Sequence, residues 1–293
     1  MALTALAPAK VNLFLHVGAP GGDGYHPLCS LMAFADFGDR LALQPADAME
    51  LKVTGPFGAA LDGAGDNLVL RAAHALLAEA RRPVAPFSLS LDKQLPVAAG
   101  LGGGSSDAGA TLRLLREAAG LQIEDARLEA IAAGLGADGA ACLWGRPVVA
   151  EGRGERLSPA PPFAPVDAVL VNPRVPVSTP EVYRRFDARG RFGEVTPPPA
   201  PDAFESAAEL AAWLATLRND LEPAAIDAAP EVGAVLETLA GEPETLLARV
   251  SGSGGTCFAL CAGDIEAEGL AERIEALAPH WWVRRVRLGG PWE

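Results

Sequence analysis

No apolar run in the sequence approaches the ~18 residues of a membrane-spanning helix. Basic residues are scarce as well: 24 Lys and Arg stand against 37 Asp and Glu, a formal net charge of −13. That deficit argues against a general nucleic-acid or membrane-surface binder, which would carry a basic face. It leaves room for a phosphate ligand, because backbone N–H groups and one lysine make a local positive site even on an acidic protein. Cysteine is sparse too. Cys29, Cys142, Cys257 and Cys261 form no CxxC pair, so a zinc site is not expected and buried thiols are. Tyrosine occurs only twice, at Tyr25 and Tyr183. The N-terminal MALTALAPAK has no basic stretch ahead of an apolar one, so a cytoplasmic protein rather than a secreted one is expected.

What is present is an ordinary globular composition, 49% apolar and 21% charged, in 293 residues. That length suits two domains of about 150 residues. KVNLFLHV (10–17) and FSLSLD (87–92) alternate as strands. Residues 66–81 read as a helix capped by Asp66 or Asn67, with Val69, Ala72, Ala73, Leu76, Leu77 and Ala80 on one apolar stripe. A second helix is expected from about Ser105 to Ala119, with Ala108, Leu112 and Leu115 inward and Gly120 as its stop, and a third over 124–135. Helices near 206–217, 231–240 and 265–277 mix with strands near 167–171, 246–250, 256–261 and 282–288. The rhythm is not βαβ, which favours α+β. The proline run PAPPFAP (159–165) divides the chain into expected domains 1–158 and 159–293, and TPPPAP (196–201) lies in a loop of the second.

The densest signal is LPVAAGLGGGSSDAGATLRLL, residues 95–115. Glycines let backbone approach a ligand closely and take positive φ. A helix starting just after them offers free N–H groups and the positive end of its dipole, an anion site. Ser105 and Ser106 stand at the expected helix entry, where either can cap it or reach a phosphate or its Mg²⁺. No GK[ST] follows, so this is not a Walker A loop. The surroundings fit a dinucleotide fingerprint poorly.

The ordered succession PxxAGLGGGSSDA, Pro96 to Ala108, resembles the phosphate loop of the GHMP kinases, the superfamily of galactokinase, homoserine kinase and mevalonate kinase. PAKVNLFL (8–15) resembles that family's first motif and SGSGGTCFAL (251–260) its third. The resemblance implies a two-domain α+β kinase fold with its active site in the interdomain cleft. It implies ATP and Mg²⁺ as cofactors, with Pro96, Gly100, Gly102, Gly103, Gly104, Ser105 and Ser106 cradling the nucleotide phosphates. DGYH (23–26), GLGAD (134–138) and STPEVY (178–183) are similar to a branch of the superfamily whose alcohol carries a cytidine diphosphate on methylerythritol. There the γ-phosphate goes to the 2-hydroxyl, in the non-mevalonate route to isoprenoids.

Phosphoryl transfer through a loose transition state needs positioning and charge neutralisation. A hydroxyl nucleophile gains from a carboxylate that takes its proton. Asp138 is the candidate base, although an aspartate beside glycine more often serves a turn or cap. The family implies Lys10 as its partner, neutralising charge near the reacting oxygens. Asn12 shares the face of Lys10 by the period of two and can bind substrate. By resemblance Tyr25 and Tyr183 sandwich the cytosine while His26 bonds its polar edge.

Two departures from the family carry expectations of their own. DGAAC (138–142) replaces a bulkier stretch, so the backbone holding Asp138 is expected to be looser. GAPGG (18–22) lacks the arginine often found ahead of DGYH, whose charge must come from another group or be missing. Beside the cytidine-linked substrate stand two alternatives: a kinase of another small alcohol, or a nucleotide-binding protein without turnover. No nucleic acid or membrane partner is expected. A monomer or homodimer is.

Overall fold

The computed structural model describes residues 3–61 and 67–292. The first half runs β1 (Leu3–Val17), β2 (Leu28–Pro45), β3 (Glu50–Thr54), α1 (Leu68–Leu77), β4 (Phe87–Asp92), α2 (Gly103–Ala118), α3 (Asp125–Leu135), α4 (Gly139–Trp144), β5 (Val148–Gly152) and β6 (Arg156–Pro159). The second runs β7 (Val166–Asn172), α5 (Thr179–Arg189), α6 (Ala207–Ala215), α7 (Glu222–Ala228), α8 (Pro230–Ala240), β8 (Thr245–Val250), β9 (Cys257–Cys261), α9 (Asp264–Leu277) and β10 (Trp282–Gly289). No described helix is long and apolar enough to cross a membrane.

The strands form one mixed sheet in the order β3-β4-β2-β10-β7-β9-β8, with β1 and β5 also on β2 and β6 on β5. β10 bridges the halves: Leu288 and Gly289 pair with Ala35 and Phe34 of β2, while Trp282 to Leu288 pair with β7. β1 is longer than the expected 10–17, and its residues 7–17 are buried on both faces. One face takes Val11 and Leu13 into the apolar core with Phe258 and Leu260. The other carries Lys10 and Asn12, buried without being apolar; the bulge after Asn12 turns His16 back to the first face, its ring 4.9 Å from that of Phe14. β2 escaped the pattern for the same reason. Residues 29–35 are buried on both faces, so nothing alternates.

The helices over β1 and β4 follow their stripes. Val69, Ala72, Ala73 and Leu76 of α1 meet Leu112 and Leu115 of α2 in one core cluster. Asn67 caps α1, its side-chain oxygen accepting from Val69 N–H at 2.9 Å; Asp66 lies outside the described residues. α1 stops at Leu77, short of the expected 81. α2 begins two residues before the expected Ser105. Its cap is Gly102 in the left-handed region, φ 62°, with no side-chain capping bond, so neither Ser105 nor Ser106 caps it. Gly120, φ 60°, ends it as expected. Phe163 of the first proline-rich segment bridges to Phe204, just past the second, and Trp213 donates its indole N–H to Pro199 O of the second at 2.9 Å. All four cysteines are free and buried.

Candidate active site

A cleft of about 1550 Å³ opens above the start of α2 and is lined from both halves of the chain. At its floor the first helical hydrogen bond of α2 runs from Ser106 N–H to Gly102 O at 2.9 Å. The N–H groups of Gly103, Gly104 and Ser105 therefore have no helical acceptor. Pro96, Gly100, Gly102, Gly103, Gly104 and Ser105 all line the cleft. Ser106 does not: it is fully buried, with its hydroxyl beside the Cys142 thiol.

The second glycine segment lies against this loop. A Cβ on Gly100, at φ 74°, would stand 2.4 Å from Ser251 O and 2.6 Å from Gly254 O. Ser251 Oγ donates to Gly100 O at 3.0 Å and accepts from Asn12 N–H at 3.2 Å. Lys10 N–H closes the other side, reaching Leu101 O at 2.8 Å. Only glycine permits backbone to approach backbone this closely.

Lys10 rises from β1 into the same cleft. Its side chain is 5% exposed; its Nζ donates to Asn12 Oδ1 at 2.6 Å and pairs with Asp138 Oδ2 at 3.1 Å. Asn12 in turn donates from Nδ2 to Ser30 Oγ at 2.7 Å. Neither residue is a solvated strand position. Asp138 occupies the cap position of α4 yet makes no capping bond. Its carboxylate instead faces Lys10 and the cleft, 30% exposed.

The expectation of a loose backbone after Asp138 is corrected. A Cβ on Gly139 would fall 1.9 Å from Ala132 O, and one on Gly109 2.8 Å from Cys142 O. The start of α4 is thus seated directly on α3, and α2 on α4, where a larger residue at 139 would push Asp138 out of place.

At the far end of the cleft, His26 sets Nδ1 2.8 Å from Gly18 O and Nε2 3.2 Å from Asp187 Oδ1. Its ring packs on Tyr183 of α5, centroids 5.1 Å apart. Burial, then the nearby Asp138 carboxylate, pushes the Tyr183 phenol up to about 12. Tyr25 is 61% exposed.

Sequence reading missed several cleft residues. Thr179 Oγ1 and Ser253 Oγ meet at 2.7 Å, tying α5 to the second glycine segment. Lys93 and Asp107 line the cleft beside the glycine loop. Lys93 Nζ reaches Asp107 Oδ2 at 2.7 Å and Asp39 Oδ2 at 2.5 Å, and Asp39 Oδ1 accepts from Gln94 and Leu95 N–H. All three side chains are buried. Burial pulls Lys93 down and the two carboxylates more than offset it. Burial pushes Asp107 up to about 7 against the pull of Lys93. Asp107 was legible as part of the motif, but Asp39 and Lys93 come from separate segments with no spacing to link them.

Comparison with known proteins places this geometry. The family model for the GHMP kinases N terminal domain matches residues 67–146, and that for GHMP kinases C terminal matches 201–280. A Caulobacter sp. (strain K31) protein named 4-diphosphocytidyl-2-C-methyl-D-erythritol kinase is 63% identical over 99% of this chain and 100% of its own. One of the same name from Caulobacter vibrioides (strain NA1000 / CB15N) is 61% identical over 98% and 100%. A crystal structure of 4-(cytidine 5'-diphospho)-2C-methyl-D-erythritol kinase superposes with a TM-score of 0.78 at 35% identity, covering 99% of this chain and 100% of that one.

Proposed function

The chain belongs to the GHMP kinases, and from that premise we infer that it transfers the γ-phosphate of ATP to the 2-hydroxyl of 4-diphosphocytidyl-2-C-methyl-D-erythritol, in non-mevalonate isoprenoid synthesis. The observation that carries the reading is the 3.1 Å Lys10–Asp138 pair in the same cleft as the unpaired N–H groups of α2. ATP phosphates settle on the glycine backbone and helix start, where N–H groups and dipole favour negative charge. Asp138 accepts the proton of the substrate hydroxyl as the new bond to phosphorus forms. Lys10, fixed by Asn12, neutralises charge at the reacting oxygens. Tyr25, Tyr183 and His26 hold the cytosine, by stacking and by hydrogen bonding to its edge.

Among the described residues no three His, Cys, Asp or Glu side chains gather as a metal cage. A kinase Mg²⁺ needs fewer protein ligands, because phosphates and water fill most of its shell. Ser105, on the cleft wall at the start of α2, fits that sparse donor set. The ion would supply charge neutralisation on the transferred phosphoryl group. We place the protein in the cytoplasm, as a monomer or homodimer.

The test is ADP release from ATP and Mg²⁺ with 4-diphosphocytidyl-2-C-methyl-D-erythritol as acceptor. Turnover that depends on this alcohol is expected. Turnover with other small alcohols and not this one would move the substrate assignment, and ATP binding without turnover would leave a non-catalytic protein.

A further inference from the structure

The aromatic end of the cleft holds a cation that none of the three kinase motifs contains. Arg153 sits in the turn between β5 and β6, between Gly152 at φ 72° and Gly154 at φ 109°. Its N–H donates to Glu155 Oε2 at 2.6 Å, which closes the turn. Its guanidinium carbon lies 4.3 Å from the centroid of the Tyr25 ring. The same guanidinium pairs with Asp23, two residues before Tyr25. The other oxygen of Asp23 accepts from Tyr25 N–H at 3.1 Å. That bond, together with Arg153, holds the Asp23 carboxyl below its ordinary range. Tyr25 is therefore gripped twice, its backbone by Asp23 and its ring by Arg153. Tyr25 is 61% exposed and lines the cleft, which leaves it accessible to a flat ligand while Arg153 lies over its ring.

We propose that Arg153 is the positioning residue for Tyr25, holding its ring as a preset platform for the pyrimidine of the substrate and supplying from the β5–β6 turn the positive charge that GAPGG lacks. A guanidinium stacks flat on an aromatic face and is attracted by its quadrupole. An exposed tyrosine without such backing would sample several rotamers and lose that freedom on binding. Arg153 acts through the ring; the phosphates of the ligand are not its target. The proposal rests on the reading of a cytidine-bearing substrate.

The test is calorimetric titration of the full chain with CDP, and separately with ATP, for wild type, Arg153→Ala, Tyr25→Ala and the double variant. Arg153→Ala is expected to weaken CDP by about 2- to 5-fold, the range of an exposed cation–π contact, with ATP affinity unmoved. In the Tyr25→Ala background the same change is expected to add nothing. Equal CDP affinity in wild type and Arg153→Ala would overturn the proposal. So would a loss that persists without Tyr25, since Arg153 would then touch the phosphates itself. Wild type that binds ATP but not CDP would overturn the cytidine reading, and this proposal with it.

Discussion

Lys10 and Asp138 form a pair whose members live in different surroundings, one 5% and the other 30% exposed. Removing either therefore has different consequences. Asp138→Asn keeps the shape and loses the proton acceptor, so kcat is expected to fall about 10²- to 10⁴-fold with little change in ATP affinity, read by steady-state kinetics. Turnover close to that of the wild type would remove Asp138 as the base. Lys10→Met fills the same buried volume without charge and leaves Asn12 Oδ1 without its 2.6 Å donor. It is expected to abolish measurable turnover while lowering Tm by only a few degrees, since one lost buried hydrogen bond costs about 1–3 kcal/mol. At this scale the residue types at 10, 12 and 138 were readable from their motifs. That Lys10 and Asn12 are bonded and buried was not, because a strand pattern says which side chains share a face and not what covers it.

The two helix starts that line the cleft, those of α1 and α2, show what an element reveals of itself. Asn67 caps α1 with its own side chain, a local bond that sequence announces. Asn67→Ala is expected to cost about 1 kcal/mol, seen as a Tm drop of about 2–4 °C. The start of α2 is capped by no side chain, and Gly102 enters it through backbone angles alone. Its neighbour Gly100 depends on a partner some 150 residues away, with Ser251 O where a Cβ would stand. Gly100→Ala is expected to lower thermal stability and raise the KM for ATP together, because the loop must withdraw from the second glycine segment. An unchanged KM would show that the loop is not shaped by that contact. Gly139 carries the same lesson. The sequence showed a missing side chain and suggested slack; packing shows that the space is taken by Ala132.

Across the whole molecule the unexpected feature is the buried Lys93–Asp39–Asp107 group, which joins β2, the end of β4 and the first turns of α2. Asp107 Oδ1 has no hydrogen-bond partner, and burial holds the carboxyl near 7 rather than 3.8. The native state thus retains a proton that the unfolded chain releases. This contribution to stability is intact below about pH 4 and lost as pH rises through about 7. Asp107→Asn lacks this dependence, so the advantage of wild type over the variant is expected to shrink between pH 5 and pH 8, measured by urea unfolding at both. A difference that grows with pH would overturn the raised pKa. Local pattern was enough to read the glycine loop ahead of α2, the inward stripes of α1 and α2, the stop at Gly120, and the family, and it narrowed the cap of α1 to Asp66 or Asn67. Those signals are short-range, written in periodicity, glycine and capping residues. Three things waited for the tertiary structure: the partners of Lys10, the seating of Gly139, and the meeting of Arg153 with Tyr25. Each depends on which distant backbones share one small volume, and no spacing along a chain encodes that.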